Sequence, residues 1–134
     1  MNFLRVVELR FIVFSILFTC VFFGCSNSVS IEKLVFNKCD VLLDGKLYSG
    51  KYQKNNMNTN SIIGIVENGF LIETREYISE GELARLRKFS SCGKGIEKIY
   101  STDGKLSWEG GFNNLKRVGL WRFYSKDSIY EINY

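Results

Sequence analysis

Histidine and proline are both absent from the 134 residues. Without histidine there is no imidazole for general acid–base catalysis, for Ser-His or Cys-His dyads, or for most catalytic zinc sites. Without proline, the turns have to be made by the 12 glycines together with Asn and Asp. The two absences argue against several large enzyme classes and predict a chain whose turns are marked by glycine.

A strong net charge is also lacking. The 18 Lys and Arg residues face 14 Asp and Glu, which gives +4, and the basic residues are spread along the chain. Nucleic-acid-binding domains concentrate basic residues on one face, so we expect no nucleic-acid partner. Hydrophobic residues make up 46% of the chain and aromatics 15%, which is more than a disordered chain carries. The length allows one small domain.

The first 25 residues have the organisation of an export signal. Arg5 and Arg10 outweigh Glu8 near the N-terminus, and an apolar run of 13 residues follows from Phe11 to Phe23. A run this short suits a signal-peptide core, because a membrane-spanning helix needs about 20 residues. We therefore predict a signal peptide at residues 1–24. An uncleaved N-terminal anchor is the alternative.

Gly24-Cys25, at the end of the apolar run, resembles the lipobox of bacterial lipoproteins. In that family the peptidase cuts before the cysteine, and the sulfur carries a diacylglyceryl group. The resemblance implies lipidation of Cys25, a lipidated cysteine and tether at residues 25–30, and a folded domain at 31–134. Two acyl chains anchor a protein stably, at about 0.8 kcal/mol per buried CH2. The domain would then lie outside the cytoplasm on a bacterial membrane, the outer membrane if the cell has one.

Turn signals recur about every twelve residues beyond the tether. Three copies of one pattern, an Asp or Asn, a Gly, a variable residue and a Leu, begin at Asp44, Asn68 and Asp103. Asp-Gly and Asn-Gly between apolar stretches are strong hairpin signals, because both residues tolerate positive φ. The spacing predicts an all-β chain of short antiparallel strands. Residues 82–89 also fit a short helix, but their place in the repeat favours a strand.

Residues 103–124 (DGKLSWEGGFNNLKRVGLWRFY) resemble the bacterial variant of the MORN repeat, and the similarity extends over about residues 40–134. The matching positions are Gly104, Lys105, Leu106, Glu109, Gly110, Phe112, Gly119, Trp121 and Tyr124. The resemblance implies an elongated, curved antiparallel meander of β-hairpins that binds proteins or membranes and has no catalytic residue. Proteins with such arrays are often labelled YwqK-family antitoxins, which implies neutralisation of a toxin as an alternative role.

Two groups of side chains are candidate contacts with a partner, namely the aromatic row of the last repeat and the densest basic group. They are Trp108, Trp121 and Tyr124, and Arg85, Arg87 and Lys88. Each group also has a purely structural interpretation. Aromatic cross-strand pairs are ordinary stabilisers of sheets, and a short basic run is often a solvated strand face.

Cys39 and Cys92 are the two cysteines that follow Cys25. In an exported protein such a pair suggests a disulfide. However, about four predicted strands intervene, and a flat sheet with about 4.8 Å per strand separates the two by about 19 Å. A disulfide needs Cα atoms within about 7 Å. We therefore predict two unpaired thiols unless the sheet curls strongly.

The sequence contains no motif for catalysis, a metal or a cofactor. Residues 91–95 (SCGKG) lack the spacing of a phosphate-binding loop, and carboxylate pairs such as Glu80 and Glu82 read as solvated charges. We expect no metal, no cofactor and no enzymatic activity. The leading hypothesis is a lipid-anchored envelope protein that binds another protein or the membrane surface. A toxin-neutralising protein is the alternative, and an envelope enzyme using carboxylates is the third hypothesis.

Overall fold

The predicted all-β meander is confirmed. The computed structural model describes residues 28–55, 60–78 and 81–134, and in this part of the chain twelve strands form one elongated, curved sheet. A short 3-10 helix at Ile31–Lys33 follows the first strand. The strands are β1 (Val29–Ser30), β2 (Leu34–Asn37), β3 (Asp40–Leu43), β4 (Lys46–Leu47), β5 (Gly50–Asn55), β6 (Ser61–Glu67), β7 (Phe70–Tyr77), β8 (Leu83–Ser91), β9 (Lys94–Tyr100), β10 (Leu106–Asn113), β11 (Lys116–Tyr124) and β12 (Ile129–Asn133).

Strands β5 to β12 lie side by side in chain order, and each pairs antiparallel with the next. At one edge β1 pairs parallel with β5, through Val29 and Tyr52. Since β1 occupies residues 29–30, the sheet begins within the segment that the sequence assigns to the tether. The segment 82–89, which fits a short helix by sequence but was predicted as a strand, lies almost wholly in β8.

Two of the predicted hairpin turns have the expected backbone. Asp44-Gly45 and Asn68-Gly69 each join two strands with both residues at positive φ, as a type I′ turn requires. The third copy differs, because only Gly104 has positive φ and the Asp103 carboxylate accepts hydrogen bonds from the Ser101 hydroxyl and the Lys105 amide. Asn114-Leu115 forms a two-residue turn with positive φ and no glycine, which the spacing of glycines did not indicate.

The strand register divides the side chains between two faces, because directly paired residues point to the same side of a sheet. One continuous row crosses eight strands and defines the front face. Its members are Tyr52, Gly64, Thr74, Arg87, Glu97, Gly110, Trp121 and Ile132. The adjacent row defines the back face. Its members are Gln53, Ile63, Arg75, Leu86, Lys98, Glu109, Arg122 and Glu131.

The hydrophobic core lies on the front face of the first half of the sheet. The hairpin of β2 and β3 leaves the meander and packs against front-facing side chains of β5 and β6, and Phe36 contacts the Tyr52 ring edge-on at 5.8 Å. The buried cluster consists of Leu34, Val41, Tyr48, Tyr52 and Val66. This hairpin supplies a second layer over β5 to β7. We call these three strands, together with the hairpin, the covered half.

The prediction that Cys39 and Cys92 are unpaired is wrong. They form a disulfide with a Cα–Cα distance of 5.4 Å. The prediction assumed that β2 and β3 continue the meander. Instead, Asp40 of β3 pairs with Phe70 at the start of β7, ahead of Glu73, where pairing with β8 begins. The tip of the hairpin thereby reaches the β8–β9 turn that carries Cys92.

The predicted signal peptide at residues 1–24 and the predicted lipidation site at Cys25 lie outside the described residues. Across residues 28–55, 60–78 and 81–134, no helix combines the length and the hydrophobicity that crossing a membrane requires.

Candidate binding surface

The front face of β8 to β12 lies beyond the hairpin of β2 and β3, and we call it the open surface. The strand register places aromatic side chains and arginines there. They are Phe89, Trp108, Phe112, Trp121, Phe123, Tyr130 and Tyr134, with Arg85, Arg87 and Arg117. The aromatic rings contact one another edge-on. Phe89 and Phe112 meet across β9, over Gly95, with centroids 5.4 Å apart, and Trp108 and Phe123 meet on the neighbouring strands β10 and β11, with centroids 4.4 Å apart.

Trp121 is fully buried although no second layer from the described residues covers it. Its indole lies over Gly110 on the neighbouring strand, at a place that any Cβ would occupy. The indole Nε1–H donates a hydrogen bond of 2.8 Å to the carbonyl of Gly111. On the outer side, the Arg117 guanidinium lies 4.5 Å from the ring centroid and the Tyr134 ring lies at 6.2 Å. The side chains of one face thus enclose the indole by themselves.

The covered half uses the same pairing of an aromatic ring with a glycine. The Tyr52 ring lies over Gly64, again where a Cβ would collide with it. Here the outer side of the ring meets the hairpin, and only 4% of Tyr52 is exposed. Burial raises the pKa of the Tyr52 hydroxyl, because the charged phenolate loses solvation.

Arg117 holds a central place on the open surface. Its guanidinium lies 4.3 Å from the Trp108 ring centroid and 5.6 Å from that of Tyr134, and its Nη1 donates to the Tyr134 hydroxyl at 3.0 Å. In the described part of the chain no ion pair joins Arg117 to a carboxylate. The stacking of this cation on two indoles contributes about 0.5–2 kcal/mol per contact, depending on desolvation. Its positive charge remains available to an acidic partner.

Arg85 and Arg87 converge on one carboxylate. Glu97 is 8% exposed, and its Oε1 accepts a hydrogen bond of 2.7 Å from Arg87 Nε, while Arg85 Nε lies at 3.4 Å. Arg85 Nη1 also donates to Glu76 at 3.0 Å. Two arginines against two acidic groups give this part of the front face little net charge.

The six predicted contact residues do not form one surface. Trp108, Trp121, Arg85 and Arg87 face the front, whereas Lys88 and Tyr124 face the back. Residues adjacent in sequence point to opposite faces of a strand, and this separates Lys88 from Arg87.

Both back-face candidates are engaged in local contacts there. Lys88 Nζ lies 4.0 Å from Glu73, and the Tyr124 hydroxyl donates to the Glu109 carboxylate at 2.5 Å. That hydrogen bond is the main reason why the pKa of Glu109 lies below its ordinary value. The nearby Lys98, at 3.3 Å, lowers it further.

Sequence reasoning missed Arg117 as a site residue. Its sequence position differs from those of Trp121 and Phe123 by an even number, which is the signal for a shared face. Relative to β10, the bulge in β11 inserts two residues between Val118 and Trp121. Because the insertion is even-numbered, Arg117 still faces the same side of the sheet as Trp121, as the spacing in the sequence indicates.

Within the described residues, no group of three or more Cys, Asp or Glu side chains is arranged to hold a metal ion. No family model matches the chain, and no curated protein sequence matches it significantly.

Proposed function

We propose that this chain is a lipid-anchored, non-catalytic binding protein of the bacterial envelope, and that it docks another protein on the open surface. In this proposal Cys25 carries the lipid, the signal at residues 1–24 is removed, and the hairpin repeats are of the MORN type. The domain lies outside the cytoplasm, and the front face of β8 to β12 is what the partner touches.

The observation that carries the binding role is the composition of the open surface. Its cations are three arginines, and the lysines of these strands lie on the back face. Those lysines are Lys88, Lys94, Lys98 and Lys116. Protein interfaces are enriched in aromatic residues and arginine and depleted in lysine. An anionic membrane surface would be met by lysine as readily as by arginine, so the segregation favours a protein partner.

Exposure of large apolar side chains supports the same role. Tyr130, Ile132 and Tyr134 are 60%, 46% and 53% exposed, next to the half-buried Trp108 and Phe123. Contiguous apolar patches on soluble domains commonly mark sites of protein association. In the covered half, the chain's own hairpin occupies the equivalent position over Tyr52.

The disulfide supports the proposed location. Disulfides persist in exported proteins and are rare in the reducing cytoplasm, and the Cys39–Cys92 bond joins segments 53 residues apart. Repetition within the sheet supports the MORN-type assignment, because Tyr52 over Gly64 and Trp121 over Gly110 are two copies of one packing arrangement.

Site-specific photo-crosslinking in intact cells tests the binding role. A photoreactive residue at Trp108 or Phe123, on the open surface, should yield a discrete adduct with a protein other than the chain itself. The matched control is Leu120 on the back of β11, which is 49% exposed. Equal adducts at front and back, adducts with lipid alone, or none at all would contradict the proposal.

The anchor has its own test. Cys25→Ala should abolish incorporation of a labelled fatty acid and leave either an uncleaved precursor or a released domain. Unchanged labelling, size and membrane fractionation would contradict lipidation at this residue without bearing on the binding surface.

A further inference from the structure

The outer edge of β12 presents a row of unpaired backbone groups. Tyr134 and Gly119 exchange both of their N–H···O bonds, at 3.0 and 3.1 Å, so the backbone of Tyr134 points towards β11. Alternation along an antiparallel strand then turns the N–H and C=O groups of Ile129, Glu131 and Asn133 away from β11. In the part of the chain that the structure describes, β12 is the last strand of the sheet and no strand lies on that side.

This edge lacks the features that usually prevent strands from pairing between molecules. Natural edge strands are protected by lysine, proline, bulges or a covering segment. β12 pairs with β11 without a bulge, all five of its residues are exposed, and Glu131 is its one charged residue. Its front-facing side chains, Tyr130 and Ile132, are large and apolar. The edge is therefore suited to receive another strand.

We propose that the strand it receives is β12 of a second copy of this chain, paired antiparallel with Ile132 opposite Ile132. The outward backbone groups of Glu131 then form hydrogen-bonded pairs with those of Asn133 in the other copy. On the front face, Tyr130 lies opposite Tyr134. Each copy continues the sheet of the other, and the two open surfaces lie side by side on one face.

Side-chain chemistry selects this register over its rivals. Only residues whose backbone groups point outward can form the hydrogen-bonded pairs, so Glu131 can lie opposite Asn133, another Glu131 or Ile129. The second arrangement puts two carboxylates directly opposite each other, which is destabilising, and the third offers the carboxylate no hydrogen-bond donor. The first puts an amide donor opposite the carboxylate, and that carboxylate is already held at 3.0 Å by Arg122 of its own chain. The strand is thus complementary to itself in one register.

The contact is small. Pairing through one five-residue strand falls below the range of about 1,200–2,000 Å² that is typical of stable complexes. We therefore expect a weak, reversible dimer that can be captured by a disulfide crosslink between the two copies. The inference rests on β12 alone and stands apart from the partner protein proposed above.

Cysteine crosslinking of the full chain in mild detergent tests the register. Ile132→Cys places the two new thiols on residues whose Cα atoms are about 4.5 Å apart, as in a non-hydrogen-bonded pair, which is within reach of a disulfide. Under mild oxidation a reducible dimer should form in at least tenfold excess over the parent chain. Glu131→Cys leaves its two sites diagonal, at about 7–8 Å, and should form little dimer. Leu115→Cys, at a site 74% exposed, is the control for random collision.

Asn133→Pro in the Ile132→Cys chain adds a backbone test. Proline removes an N–H that points outward, so pairing with β11 is kept and the dimer should be lost, whereas Asn133→Ala should still form it. A dimer from Glu131→Cys and not from Ile132→Cys would overturn the register. Dimer yields equal to that of Leu115→Cys, or adducts with a different protein only, would overturn self-pairing itself.

Discussion

The covered half of this sheet and the half that carries the open surface, β8 to β12, which we call the open half, both lay an aromatic ring on a glycine. They close the outer side of the ring differently. Over Tyr52 the chain adds a second layer, the hairpin of β2 and β3, with Val41 at 1% exposure. Over Trp121 it adds an arginine and a tyrosine from the same face. The comparison shows that a hairpin repeat can bury its aromatic residue with side chains of the same face, without a second layer of strands.

The difference also separates stability from binding. In the covered half the hairpin already occupies the outer side of the ring, and a disulfide fastens the tip of the hairpin to the β8–β9 turn. The open half fills the same position with Arg117, Trp108 and Tyr134, whose outer sides stay in contact with solvent. A docking partner would cover the aromatic rings of the open half, as the hairpin covers the Tyr52 ring in the covered half.

Breaking the disulfide should have the largest effect and should act on the covered half. Replacing Cys39 and Cys92 together by Ser should lower the free energy of unfolding by about 4 kcal/mol, from the loop entropy of a closure spanning 53 residues. Chemical denaturation of the two chains, with and without reductant, measures it. Unfolding of the variant and of the oxidised parent at the same denaturant concentration would contradict a stabilising role for the disulfide.

Adding a methyl group beneath each ring compares the two halves directly. Gly64→Ala and Gly110→Ala both place a Cβ into an aromatic ring, at an expected cost of about 1–3 kcal/mol. The cost should be greater at Gly64, because the hairpin prevents the Tyr52 ring from lifting, whereas the indole of Trp121 can push Arg117 outward. Gly104→Ala adds a Cβ with no neighbour within 4 Å at a positive φ, so its cost measures backbone strain without a steric clash. An equal cost at Gly64 and Gly110 would mean that the hairpin does not confine the ring.

Removing the cation from the open half should have a smaller effect. Arg117→Met keeps much of the packing and loses the stacking charge over Trp108 and Trp121, which predicts a loss of about 1–2 kcal/mol in unfolding free energy. Arg122→Met on the back face removes an exposed arginine whose ion pair with Glu131 is screened by solvent, so its loss should cost less. Urea unfolding that shows the same loss for both would contradict a special role for Arg117.

The smallest effect concerns pH and the back face. Hydrogen bonding from Tyr124 lowers the pKa of Glu109 below its ordinary value of 4.5, so the carboxylate stabilises the fold above about pH 4.5 and this contribution is lost as the pH falls through the lowered pKa. Tyr124→Phe should raise the pKa of Glu109 towards 4.5 in an NMR titration and move that loss to higher pH. An unchanged titration curve would contradict the hydrogen bond.

Local features of the fold could be predicted from the sequence. Asp44-Gly45 and Asn68-Gly69 specify their turns through their own backbone preferences, and the regular spacing of turns was enough to indicate antiparallel strands. The docking of the β2–β3 hairpin could not be predicted in the same way. It depends on a buried cluster that brings together residues distant in sequence, such as Val41 and Val66, and such packing has no local signature. The error over Cys39 and Cys92 followed directly from that.

The candidate site was predictable in part. Trp108 and Trp121 were identified through the repeat. Arg85, Arg87 and Lys88 were grouped because they are close in sequence, although alternation turns Lys88 to the back. Glu97, which contacts both arginines, comes from the next strand, and only the register of the sheet brings it there.

Residue-resolved footprinting with hydroxyl radicals tests the division into halves most directly. In the oxidised full chain, Tyr48 and Tyr52 should react slowly, while Tyr130 and Tyr134 react at rates near those of the unfolded chain. Reduction of the disulfide should raise the rates at Tyr48 and Tyr52 severalfold and leave the other two unchanged. Equal protection of all four tyrosines, or a rise at Tyr130 and Tyr134 on reduction, would contradict the account of one covered and one open half.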